Sequence, residues 1–257
     1  MELIDTHCHL TFEQLSDDIE AVLARSVLED VTGWITVGTD PQQNLKAVEL
    51  AGKFENMYAA VGIHPHEAKD VTAETLTELK ELAQGEKVVA LGETGLDFHY
   101  NFSSKSDQKR AFAAQLKIAK ELNLPAIIHC REAFDETMEI LDQYGRDLRG
   151  VVFHCFSGSA EQAKIILDYG FYISFTGVVT FKNADIIRNT AKLIPTDKLM
   201  LETDCPYMSP EPMRKQKINE PALMIHTARY LAELKQMDLT DFANAVTAAS
   251  KSFFDLP

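Results

Sequence analysis

The sequence lacks the features that mark membrane-spanning, secreted and redox proteins. No apolar run reaches the roughly 18 residues that a membrane span requires. The N-terminus has no basic stretch leading into an apolar segment, so no signal peptide is predicted. The four cysteines, Cys8, Cys130, Cys155 and Cys205, include no CxxC pair, which argues against a zinc knuckle or a thioredoxin-like site. We therefore expect a cytoplasmic protein without disulfides or a membrane partner.

Positive charge is scarce as well. Lysine and arginine total 25 against 39 aspartates and glutamates, which gives a formal net charge of -14 at pH 7. Such a chain repels polyanions at long range. A nucleic-acid or phosphate substrate would therefore need local cations or metal ions to hold it.

Short β-branched or apolar runs recur along all 257 residues and predict eight strands. Helical segments lie between them, for example after Asp40-Pro41 and from Ser159, which forms a capping box with Gln162, to Gly170. This alternation predicts an α/β fold, a (β/α)8 TIM barrel, and no linker or repeat divides residues 1–257 into more than one domain. The strand runs are LIDTHCH from Leu3, GWITVGT from Gly33, MYAAVGI from Met57, KVVALGE from Lys87, PAIIHC from Pro125, GVVFHCF from Gly150, FYISFTG from Phe171 and KLMLETD from Lys198.

A His-x-His pair ends the first predicted strand. Because strand side chains alternate between faces, His7 and His9 point to the same side, into the barrel. Two imidazoles placed in this way make a bidentate metal clamp. The competing interpretation is a pair of polar residues at a strand end.

Ligand-type residues recur at the predicted ends of four other strands. They are Glu93, His129, His154 and Asp204. Each alone is better explained as a solvated loop residue, but in a TIM barrel the carboxyl ends of the strands converge on the active site, and the whole set recurs at equivalent positions. Together with His7 and His9 they provide more ligands than one tetrahedral zinc ion binds, so two ions bridged by Glu93 are expected. The mixed imidazole and carboxylate set suits zinc, manganese or magnesium.

Each cysteine directly follows one of these candidate ligands. A thiolate ligand is one hypothesis. Strand alternation favours another, in which the thiols point away from the metal ions and pack among apolar residues. Cys205, on the loop before Pro206, is the position to which alternation applies least.

Further polar residues surround the predicted metal centre. Glu202, two residues before Asp204, is predicted to orient a ligand or water, and Arg131 to hold a phosphate with its guanidinium. Lys182 suits either substrate contact or a solvated position, and we expect His99 and His226 to be structural. His64 and His66, in GIHPH, are candidates for substrate contact.

These segments together resemble the TatD family of metal-dependent deoxyribonucleases. The motifs that carry the resemblance are DTHCHL, GIHPHEA, GETGLDFHY, IIHCREA, FHCFSG, SFTGVVTFKNA and LETDCPYMSP, and it extends from the first residues to about position 225. The resemblance implies a TIM barrel of the amidohydrolase type that hydrolyses DNA phosphodiesters, often from the 3′ end.

The resemblance also implies roles for the site residues. One ion would be held by His7, His9, Glu93 and Asp204, and the other by Glu93, His129 and His154. Asp204 would position or deprotonate the attacking water, and His64 would face the substrate phosphate. One loop departs from the family pattern, because MRKQKINEP lacks the usual glycine and is longer by one residue, although Arg214, Lys215 and Lys217 keep it basic.

The leading hypothesis is a 3′-5′ exonuclease that cleaves DNA with water activated by two metal ions. Its substrate would be single-stranded DNA or frayed ends, and no obligate protein partner is evident. In a second hypothesis the same metal site hydrolyses another ester or an amide, such as an aminoacyl ester. A third is a binding or scaffold protein that keeps metal for stability.

Overall fold

The structure, a computed structural model, describes residues 1–257. Eight parallel strands form one sheet in chain order, and each predicted run contains one of them. The strands are β1 (Leu3–Cys8), β2 (Val31–Val37), β3 (Met57–Val61), β4 (Val88–Asp97), β5 (Ala126–Arg131), β6 (Val151–Phe153), β7 (Tyr172–Phe175) and β8 (Leu199–Leu201).

Helices alternate with the strands, as a (β/α)8 fold requires. No helix combines the length and apolar character that crossing a lipid bilayer requires. The helices are α1 (Glu13–Ser16), α2 (Ile19–Leu28), α3 (Pro41–Lys53), α4 (Ala73–Leu82), α5 (Lys105–Leu122), α6 (Phe134–Tyr144), α7 (Ala160–Asp168), α8 (Asp185–Leu193), α9 (Met224–Leu234) and α10 (Leu239–Phe254).

Two of the predicted helix starts are confirmed. The carboxylate of Asp40 accepts the backbone N–H groups of Gln42 and Gln43, with Pro41 in the first turn of α3. Ser159 and Gln162 form the predicted capping box at the start of α7. These caps satisfy backbone donors that the first helical turn leaves without partners.

The chain divides into two compact units, of which the first comprises residues 1–36 and 155–257. In this unit β1 pairs with β2 and β7 pairs with β8. The backbone of β1 also meets the segment after β8, where Asp204 N–H donates to the His7 carbonyl at 2.9 Å. Helix α10 packs on β1 and β8, with Phe242 and Phe253 buried. Full burial of each such ring stabilises the fold by roughly 1.5–3 kcal/mol.

The second unit comprises residues 37–154, in which β3, β4, β5 and β6 are neighbours. Helix α5 packs on β4, and two of its buried glutamines bind the backbone of segments that carry site residues. Gln115 accepts from Ile63 N–H and donates to Ile63 C=O, directly before His64. Gln108 makes the same pair of contacts with the backbone of Asp97. Each amide therefore pairs both backbone polar groups of one residue and holds its segment in place.

Two strands run further than the sequence predicts. We expected Glu93 and His129 at strand ends, but β4 continues to Asp97 and β5 to Arg131, so both ligands lie inside strands. The extra residues pair as Gly95 with His129 and Asp97 with Arg131. Gly95 has a φ of 143°, and a Cβ at this position would collide with the His129 carbonyl, so the strands approach closely because residue 95 is glycine.

Candidate metal centre

The first unit brings together three of the predicted ligands. His7 lies in β1, His9 follows β1 directly, and Asp204 lies on the loop after β8. The Asp204 Oδ1 atom is 3.3 Å from His9 Nε2 and 3.8 Å from His7 Nε2, and one ligand atom of each residue lies within 4.8 Å of the others. Two imidazoles and one carboxylate at this spacing suit zinc or manganese. We call these residues the first ligand group.

A buried carboxylate, Asp5, holds the first ligand group together. It lies two residues before His7, and its two oxygens accept the N–H and the hydroxyl of Thr203 at 2.9 and 2.6 Å. Burial raises the pKa of Asp5 to about 7. Because Thr203 directly precedes Asp204, this contact fixes that ligand beside β1. Its sequence context does not single out Asp5, although the strand period places it on the face of His7.

The second unit gathers imidazoles around one carboxylate oxygen. The Glu93 Oε1 atom is 2.6 Å from His129 Nδ1, 2.7 Å from His154 Nε2 and 3.4 Å from His64 Nε2. Burial raises the pKa of Glu93, but the charge of His154 and hydrogen bonds from His129 and His154 outweigh it, so the pKa lies well below its usual range. Glu93 is therefore ionised and available to a cation. We call Glu93, His129 and His154 the second ligand group.

His64 faces Glu93 but does not have the protonation pattern of a ligand. Its Nδ1 accepts the backbone N–H of His66 at 3.1 Å, which places the ring proton on Nε2. Burial lowers the pKa of His64 to about 4, so the ring is neutral at pH 7. The atom directed at Glu93 is then an N–H donor. This favours the predicted substrate-facing role of His64 over metal ligation.

Asp97, which its sequence context does not single out, selects the nitrogen that His129 would offer to a metal ion. The Asp97 Oδ2 atom accepts from His129 Nε2 at 3.1 Å and from His66 Nε2 at 3.0 Å, and its Oδ1 accepts two backbone N–H groups. Burial opposes ionisation, but the hydrogen bonds from His129 and Tyr100 hold the pKa of Asp97 well below its usual range. With Nε2 held by Asp97, Nδ1, which donates to Glu93 at 2.6 Å, is the nitrogen whose proton a metal ion would replace.

The other predicted contact residues occupy different surroundings. Glu202 is buried and accepts hydrogen bonds from the Cys155 N–H and from Ser174 Oγ, so it links the segments after β6 and β8 with β7. Lys182 and Arg214 are exposed, and the Arg214 guanidinium lies 4.1 Å from the ring centre of Phe181, next to Lys182. Their contact with a substrate stays a prediction, as does the catalytic role of Glu202.

The cysteines have the properties of packing residues. All four are free thiols. Cys8 donates to the Ile35 carbonyl at 3.2 Å, and burial raises its pKa well above the usual value. Burial also raises the pKa of Cys130 to about 11. Both thiols are therefore protonated at neutral pH, which opposes the thiolate-ligand hypothesis.

A family model described as TatD related DNase matches residues 4–255 of this chain. The chain belongs to the TatD family. This TatD-family chain is 44% identical over 252 residues to the uncharacterized metal-dependent hydrolase YabD of Bacillus subtilis, with 98% of each chain covered. It is 35% identical over 258 residues to the 3′-5′ ssDNA/RNA exonuclease TatD of Escherichia coli, with 99% of each covered.

Solved structures agree with this assignment. The crystal structure of the TatD homolog YJJV from Escherichia coli superposes with a TM-score of 0.94 at 31% identity, covering 99% of this TatD-family chain and 98% of that one. This likeness, with eight parallel strands in chain order, confirms the predicted TIM barrel. The protein is therefore a metal-dependent hydrolase of the TatD family. A single domain over residues 1–257 stays a prediction.

Proposed function

We propose that this hydrolase is a deoxyribonuclease that removes nucleotides from the 3′ end of DNA. The observation that carries the proposal is the composition of the two ligand groups, in each of which one carboxylate lies within 3.8 Å of two imidazole nitrogens. The Escherichia coli relative named as a 3′-5′ ssDNA/RNA exonuclease supports the choice of bond.

Each ligand group is proposed to hold one divalent ion, zinc, manganese or magnesium. Two such ions lower the pKa of water and neutralise the charge that develops on a phosphate during hydrolysis. The ligand sets fit this task, because the ionised Glu93 and the selected Nδ1 of His129 both favour a cation. Whether Glu93 also bridges to the first ligand group stays a prediction.

The remaining chemistry falls to side chains of the chain itself. Asp204 is proposed to position the attacking water and to accept its proton. His64 is proposed to donate a hydrogen bond from its Nε2–H to a phosphate oxygen, because its Nδ1 already accepts from the His66 N–H. A neutral donor of this kind remains in the same protonation state across physiological pH, because its pKa is about 4.

Substrate binding is proposed to depend on few cations. Arg131, His66, Lys182 and Arg214 are the proposed phosphate contacts, on a chain with a net charge of -14. Each neutralised phosphate adds about -0.7 to the slope of log affinity against log salt for single strands, so we expect a slope on the order of -2 to -3. Weak backbone binding favours strand ends and frayed regions over internal duplex sites.

The test is digestion of end-labelled single strands, blunt duplexes and closed circles at fixed metal concentration across a salt series. We expect release from the 3′ end of single strands with the shallow slope given above. Rapid nicking of closed circles would show that end recognition is wrong. Turnover of an aminoacyl ester or an amide but of no phosphodiester would favour the alternative bond, and no turnover on any substrate would favour a metal-stabilised binding protein.

A further inference from the structure

Two exposed aromatic rings lie beside the second ligand group. Tyr100 and Phe102 follow β4, are 41% and 57% exposed, and stack with ring centres 5.5 Å apart and an interplanar angle of 27°. We call this pair the aromatic platform. Paired exposed rings are a stronger sign of an interaction site than single exposed apolar residues, which occur on every protein surface.

The platform is attached to the residues that orient His129. Tyr100 N–H donates to Asp97 Oδ1 at 3.0 Å, and Asp97 Oδ2 accepts from His129. The ring of His66 lies edge-on to both platform rings, with centroids 5.5 Å from Tyr100 and 4.8 Å from Phe102. The ring of His66 therefore lies close both to the platform and to His129, whose ring centre is 6.4 Å from that of His66.

Hydrogen bonds hold the platform loop in one conformation. Ser103, directly after Phe102, is buried, and its hydroxyl donates to the His66 carbonyl at 2.6 Å and accepts the Lys69 N–H. The Ser103 carbonyl accepts from Gln108 of α5. A loop ordered in this way presents its rings to a ligand without a large entropic penalty on binding.

A cation accompanies the rings. The Arg131 guanidinium lies 4.9 Å from the ring centre of Tyr100, and Arg131 is exposed at the end of β5, two residues after His129. A π-face and a positive charge beside a metal-ligand group complement a nucleotide, which carries a base and a phosphate. An apolar peptide would leave the charge of Arg131 without a partner.

We propose that the aromatic platform stacks one unpaired base next to the scissile phosphodiester, with the exposed ring of Phe102 against the base and Arg131 on a neighbouring phosphate. This inference rests on the proposed function and adds a base subsite to it. Stacking accepts any base, because each base has a π-face, and it requires the base to leave a duplex. The platform would thus favour single strands and frayed ends without sequence preference.

The test combines a change in the ring with removal of the base. Phe102→Leu keeps an apolar side chain without a π-face, Phe102→Trp keeps the π-face, and Leu45→Ala on α3, where Leu45 is 62% exposed, is the matched control. The substrates are a single-stranded oligonucleotide and the same strand with abasic sites at its last two 3′ positions. Turnover is measured with metal saturating.

A stacked base contributes enough that Phe102→Leu should lower kcat/KM about 5- to 150-fold on the ordinary strand, mainly through KM. Leu45→Ala should retain wild-type values, and Phe102→Trp should recover most of the kcat/KM that Phe102→Leu loses. On the abasic strand Phe102→Leu should cause no further loss. An equal loss on both strands would mean that Phe102 acts on the site and not on a base, and no loss on either would remove the subsite.

A binding measurement separates failure of the subsite from failure of the proposed function. A short single strand with 2-aminopurine at its last two 3′ positions, and phosphorothioate linkages that resist hydrolysis, is added to the metal-loaded protein. Quenching of its fluorescence reports stacking without turnover. Quenching that Phe102→Leu abolishes supports the subsite even if the wild type cleaves no phosphodiester. Absence of quenching by the wild type overturns the subsite. A change in the sedimentation of Phe102→Leu without any effect on quenching also overturns it, because the platform would then be a contact between copies of the chain.

Discussion

Replacement of Asp97 by asparagine tests how the second ligand group is oriented. The change preserves shape but exchanges one carboxylate oxygen for an NH2 group. Oδ1 accepts the backbone N–H groups of His99 and Tyr100, which can only donate, so the amide oxygen must remain on that side. The NH2 group then faces the Nε2 atoms of His129 and His66, where Asp97 Oδ2 accepts now.

The expected consequence is a change of tautomer in His129. To accept from the amide, Nε2 must lose its proton, and the neutral ring then carries its proton on Nδ1. Nδ1 is the atom 2.6 Å from Glu93 Oε1, and once protonated it has no lone pair for a metal ion. Loss of such an orienting partner typically lowers metal affinity 10- to 100-fold, or about 1.4–2.8 kcal/mol.

The assay is competition between the metal-free protein and a chelating indicator for zinc or manganese. In Asp97→Asn we expect weaker binding of one ion, while the first ligand group retains wild-type affinity. His66→Leu is the control, because it removes the other donor to Asp97 and leaves the hydrogen bond of His129. Nitrogen-15 chemical shifts of the His129 ring report its tautomer directly. Unchanged affinity for both ions, or an equal loss in the control, would refute the reasoning.

The fold follows from local sequence signals. β-branched runs predict all eight strands, because each is short, buried and bounded by a helix start or end. The caps at Asp40 and Ser159 are equally local, because a side chain bonds backbone groups two or three residues away. The end of β4 was misplaced because Gly92 and Gly95 interrupt its apolar run. Their effect on β4 depends on β5, which sequence spacing does not show.

The candidate ligands could be predicted in the same way, since strand alternation places His7 and His9 on one face. Their orienting partners could not. Asp5 and Asp97 look like ordinary polar residues of a strand or loop, and their roles depend on which oxygen meets which donor. The distinction between Nδ1 and Nε2 of a histidine has no counterpart in the sequence. The sequence therefore predicts which residues are candidate ligands, and side-chain geometry is required to say how each of them is held.

The remaining predictions separate metal binding, catalysis and stability. Glu93→Ala should abolish activity and release metal, because Oε1 of Glu93 lies against three imidazoles. Asp204→Asn should retain much of the metal and lose turnover. Equal metal loss in the two variants would contradict the assigned roles. Cys8→Ala and Cys130→Ala should leave metal stoichiometry intact and destabilise the fold by roughly 1 kcal/mol, and a loss of metal in either would support a thiol ligand. Asp40→Ala removes the acceptor of two N–H groups at 2.9 and 3.0 Å at the start of α3, and neither donor has another helical partner in the first turn. It should lower the urea midpoint by an amount equivalent to about 1 kcal/mol without changing the m-value or the metal content, because a cap stabilises one helix end and contacts no ligand. A loss of metal in this variant would show that the cap supports the site through the Thr39 carbonyl, which accepts the N–H of His64.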